Sequence, residues 1–139
     1  ATRIFGLPAG RALAALSRFA LAGTVAEAAL LHFRGAFHNP FMWVPVTLPS
    51  VASVLMAKAS LERSSKRNHP VTRAWLWMTA IAGFAGVGFH AYGVSRAMGG
   101  WRNWSQNVID APPLPAPPAF FALSLSALAA LSILEESPA

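Results

Sequence analysis

Residues 35–57, 74–95 and 111–134 contain no Asp, Glu, Lys or Arg, and residues 12–33 hold only Arg18 and Glu27. Runs of this kind have few ways to fold. Hydrocarbon about 30 Å thick is crossed by roughly 20 apolar residues of helix, whereas a soluble helix of that length keeps a charged face. The chain therefore reads as four membrane spans, over residues 11–34, 41–61, 74–98 and 119–135. Short links join them, except for one longer loop, 99–118. Only 12% of the residues are charged, about half the usual ~25% of soluble domains. The expected fold class is an all-α integral membrane four-helix bundle, with residues 1–139 as one membrane domain.

Proline and acid positions refine the spans. Pro45 and Pro49 fall inside the second, which predicts a kink in its first half, tolerated where neighbours satisfy the freed carbonyls. The run APPLPAPP at 111–118 precedes the fourth span. Proline suits a helix's first turn and not its interior, and the run itself predicts extended polyproline II. Arg3 and Arg11 lead the first span much as a basic segment leads a signal peptide. Glu27 within it, with no mature soluble domain beyond, predicts a retained helix instead. There is no cysteine, which excludes disulfides, thiolate metal sites and iron–sulfur clusters held by the chain's own thiolates.

Orientation follows from the basic residues. With both termini cytoplasmic, the inner side carries Arg3, Arg11, Arg18, Lys58, Arg63, Lys66, Arg67 and Arg73. The outer side carries only Arg34, Arg96 and Arg102. That asymmetry satisfies the positive-inside rule and places residues 62–73 in the cytoplasm. The alanine-rich, cysteine-free chain points to a multi-pass protein of the bacterial inner membrane. Its net charge of +6 belongs to the span ends, so the expected surroundings are lipid bilayer, with no nucleic-acid partner.

The third span carries the most informative pattern, GFAGVGFHAYG at 83–93. Thr79, Gly83, Gly86, His90, Gly93 and Ala97 share one helix face, and all but His90 are small. Small faces let another backbone or a flat ring approach closely. In the first span Ala20, Gly23, Thr24 and Glu27 form a second small face, and Glu27 is the only acid deep in any span. Counted from Arg34 and Arg96, Glu27 and His90 lie at nearly one depth. An intramembrane polar pair, Glu27 with His90, is therefore expected. It serves either as structural glue or as a functional element.

Three functional roles are open to His90. It can ligate a haem b iron with a second histidine, with Gly86 leaving room for the porphyrin. It can donate to a quinone carbonyl. It can form a proton relay or part of a metal site with Glu27. For haem the partner would be His32, which the same count places several ångströms closer to the outer surface; its plainer role is an interfacial residue. His38 lies higher still, and His69 is on the opposite side.

The outer loop begins GGWRNWSQN. Trp101 and Trp104 suit the interfacial aromatic belt. Together with Arg102 and the stiff proline strap they also suit a docking surface, since little entropy is lost on binding. No Ser–His–Asp set, phosphate-binding glycine motif, helical HxxxH pair or carboxylate cluster is visible, so no catalytic residues are assigned. In architecture alone the chain resembles the small four-helix membrane subunits of bacterial respiratory enzymes, some of which carry haem b and some of which are bare anchors. The likeness covers the spans and no sequence motif, so it transfers no residue. The expected function is a non-catalytic subunit anchoring or stabilising a larger inner-membrane complex, with other membrane subunits and a periplasmic protein as partners. The alternative is a redox-active subunit binding haem b or quinone near His90, and a small transporter comes third.

Overall fold

Each long helix starts at or just beside a proline, where a missing N–H would have found no partner anyway. The computed structural model describes residues 2–62, 68–110 and 114–136. A short antiparallel hairpin opens the chain, with β1 (Arg3–Ile4) pairing β2 (Leu7–Pro8) in the register Arg3↔Pro8 and Ile4↔Leu7. Phe5 and Gly6 turn it with positive φ, 52° and 78°. No sequence period announces this hairpin, because two-residue strands are too short to show one. Then follow α1 (Ala9–Arg34), a 3-10 turn (Pro40–Trp43), α2 (Val44–Leu61) and α3 (Pro70–Arg96). After them come a 3-10 turn at Gly100–Arg102, the short α4 (Trp104–Asp110) and α5 (Ala116–Glu136).

Four helical segments are long and apolar enough to cross a membrane: Ala9–Arg34, Pro40–Leu61, Pro70–Arg96 and Ala116–Glu136. They agree with the expected spans to within a few residues. Pro45 sits in the first turn of α2 and only Pro49 is interior. Near it the Trp75 indole N–H of α3 donates to the Leu48 carbonyl at 2.8 Å. Pro117 and Pro118, expected in an extended strap, instead form the first turn of α5. The earlier prolines 112 and 113 lie outside the described residues, as do Arg63, Lys66 and Arg67 of the expected cytoplasmic loop.

The four long helices make a ring in the order α1, α2, α3, α5, so α1 and α3 face each other across one diagonal. Gly10 of α1 meets Ile133 and Leu134 of α5, which puts the start of the first helix beside the end of the last. Both therefore lie at one end of the bundle, called here the terminal end; the opposite is the far end. The core is built from Leu21, Met56, Leu76 and Leu131, with Ala14, Ala52, Ala127 and Ala130 between them. Most other large apolar side chains point outward, among them Phe19, Leu30, Val54, Ile81 and Phe84. An apolar exterior around a small-residue interior is the arrangement lipid selects.

Candidate functional site

The face predicted on α3 is the inward one. Thr79 and Gly83 are buried, and Gly86, His90, Gly93 and Ala97 are half-buried. The first turns of α5 occupy it. A Cβ at Gly83 would lie 2.8 Å from the Phe121 backbone nitrogen and 3.0 Å from the Pro117 carbonyl oxygen. One at Gly86 would lie 2.9 Å from Cβ of Pro117. The space beside Gly86 is thus taken by a proline ring of the protein itself, while Gly88 borders open space.

The expected link between Glu27 and His90 is not formed. Glu27 is exposed on the outside of the bundle and makes no hydrogen bond or ion pair among the described residues. The reason lies in the composition of α1. Its buried face runs through Gly10, Ala14, Ser17, Leu21 and Ala28, whereas Gly23 and Glu27 lie on another small face, with Gly23 open to its surroundings. In an alanine-rich helix, small size does not identify the inward side.

His32, half-buried on α1, lies towards the far end as His90 does on α3, and these two helices face each other across the diagonal of the bundle. Counted from Ala9 and Pro70, where α1 and α3 begin, the two differ by three residues, about 5 Å of rise. The His32 Nδ1 is buried and has no hydrogen-bond partner among the described residues. Phe37 meets the His32 ring edge-on, with centroids 6.2 Å apart, and stacks on Trp43 at 4.1 Å. Ala36 and Phe37 both hold positive φ, 56° and 47°, a left-handed backbone that costs roughly 1 kcal/mol per residue outside glycine. That tight turn carries the Phe37 ring onto the histidine. Phe41 and Phe89 form a second aromatic contact at 5.2 Å. His38 stays outside this group, its ring nitrogen 3.0 Å from the Gly35 carbonyl.

Beyond this cluster, the far-end loop presents the residues assigned to docking. Trp101, Arg102 and Trp104 are exposed, and the two indoles touch edge to face at 5.9 Å. Asn103 and Asn107 hold the loop by donating to the Met98 and Gly100 carbonyls.

The terminal end holds a polar network that sequence reasoning missed. The His69 ring lies 3.0 Å from Glu62 Oε2 and 3.4 Å from Glu135 Oε1. Its backbone N–H donates to Glu135 at 2.9 Å. Arg73 pairs with the other oxygen of Glu135 and reaches Ser132. Arg11 donates to the Glu62 carbonyl. One network thus joins α1, the end of α2, the start of α3 and the end of α5. The carboxylate of Glu135 also sits at the N-terminus of α3, where the helix dipole favours negative charge. The signal was present in the sequence: Glu62 and Glu135 are acids at span ends that share a side with most of the arginines.

Fold and site together define a four-helix bundle of membrane-spanning proportions, with two half-buried histidines towards one end and an ion-pair network at the other. No protein-family model matches the chain, and no curated protein or solved structure shows significant similarity to it.

Proposed function

We propose that this chain is a non-catalytic integral subunit that anchors or stabilises a larger assembly in the bacterial inner membrane, its termini in the cytoplasm. One observation carries the reading: Glu27 stands on the outside of the bundle with no partner among the described residues. It is seven residues from Arg34, about 10 Å along the helix, and so at hydrocarbon depth. Ionisable side chains in membranes are rare and almost always face protein or water rather than lipid. A subunit interface supplies the missing protein. The exposed Trp101, Arg102 and Trp104 support a second contact with a partner outside the bilayer. A respiratory complex is the favoured class on likeness of architecture alone. Solubilised from its own membranes in mild detergent, the 14.7 kDa chain should migrate with a second polypeptide. Behaviour as a monomer in every mild detergent would overturn the reading.

A redox role is the second reading, supported by two half-buried histidines towards the far end, His32 and His90, the first with a buried Nδ1 that has no hydrogen-bond partner among the described residues. Two imidazoles across a bundle suit bis-histidine haem ligation, and either suits a quinone carbonyl. The test is a dithionite-reduced minus air-oxidised visible spectrum of the purified protein, with extraction for quinone. A narrow α-band lost in both His32→Ala and His90→Ala would establish haem. Neither band nor quinone would remove this reading and leave the histidines as packing. A small transporter ranks third, since nothing in the bundle favours it.

A further inference from the structure

We infer that the outward face of α1 seats a transmembrane helix of a different subunit, one that carries a basic side chain against Glu27. The inference rests on the subunit reading and names the partner's chemistry. Around Glu27 the exposed positions are Ala22, Gly23 and Ala26, and a Cβ added at Gly23 would meet nothing. Phe19 and Leu30 bound this shallow trough at its two ends, both largely exposed. Such a surface lets a helix backbone come close, bringing the two helices' side chains within reach of each other.

Among the described residues, the chain's own cations do not serve Glu27. Arg34 lies two turns above it, and the Arg18 guanidinium rests over the Phe19 ring, 4.4 Å from its centroid. Cα–Cβ bonds tilt toward a helix's N-terminus, so the Glu27 side chain leans toward mid-membrane, away from Arg34 and the far surface. That geometry opposes escape to the headgroups. A second copy of the chain fits poorly as occupant. Copies inserted the same way and packed about a twofold axis place each Glu27 opposite itself, and two carboxylates in low dielectric repel. Charge complementarity selects a helix with Lys, Arg or His at this depth.

A photoreactive residue at Ala26, activated in native membranes, tests the assignment through mass spectrometry of the adduct. The expected adduct is a transmembrane peptide of another polypeptide, with Lys, Arg or His within about one turn of the attachment point. Glu27→Leu should cut its yield about tenfold while thermal stability in detergent stays unchanged, because Glu27 is exposed and makes no hydrogen bond or ion pair among the described residues. An adduct to a helix with no basic residue, or a yield indifferent to Glu27→Leu, overturns the inference and spares the subunit reading. Adducts to the same face of another copy replace the partner with a homo-oligomer and overturn it. Adducts to lipid alone overturn both.

Discussion

Gly83→Ala, a change of one methyl group, should destabilise the bundle by about 2–3 kcal/mol, the upper part of the range for overpacking a close contact. The added carbon would lie 2.8 Å from a backbone nitrogen and 3.0 Å from a backbone oxygen of α5. Neither atom belongs to a side chain that can swing aside, so α3 and α5 would have to separate. Gly86→Ala should cost less, since the carbon 2.9 Å away belongs to the Pro117 ring. Gly88→Ala, with nothing within 4 Å, should be neutral or slightly stabilising, because alanine is the better helix former. Thermal unfolding of the three variants in one detergent gives the comparison. Equal stability of the Gly83 and Gly88 variants would refute close packing of α3 on α5.

What the sequence revealed and what it concealed divide along one physical line. Length and the absence of charge locate spans well, because hydrocarbon thickness is a hard constraint. The inward face of α3 was legible because glycine there alternates with bulky residues: Gly83 and Gly86 are flanked by Phe84, Val87 and Phe89, so only one side can accept a neighbour. Helix α1 offers no such contrast. Alanine and glycine occur on most of its sides, so residue size does not tell the exposed face bearing Glu27 from the buried one.

Depth does not separate the two candidates. Counted from Ala9 and Pro70, Glu27 lies two residues from the level of His90 and His32 lies three. The face each occupies on α1, and not its height, decides which of them turns away from the surface. The far-end turn was beyond reach for another reason. Left-handed Ala36 and Phe37 belong to no composition rule, since glycine and asparagine are the residues that usually mark that backbone.

Loss of the Glu135 carboxylate should be the most damaging change at the terminal end. Glu135→Ala removes the acceptor of the His69 N–H, the partner of Arg73 and the anion facing the His69 ring. Breaking one side of a buried pair typically costs about 3–5 kcal/mol. Here about 2–3 kcal/mol is expected, because the Arg73 side chain remains 33% exposed and water screens part of the loss. Glu135→Gln should fall between, since the amide oxygen still accepts from His69 but no longer balances the guanidinium charge. A double-mutant cycle separates the pair from its surroundings. Glu135→Ala with Arg73→Ala should cost less than the two singles together, by about 1 kcal/mol or more, because the second truncation removes the charge that the first left unpaired. Reversible unfolding in mixed micelles measures all four proteins. Strict additivity would show that Arg73 and Glu135 are neighbours without being partners. The bond between the start of α3 and the end of α5 would then rest on the His69 backbone alone.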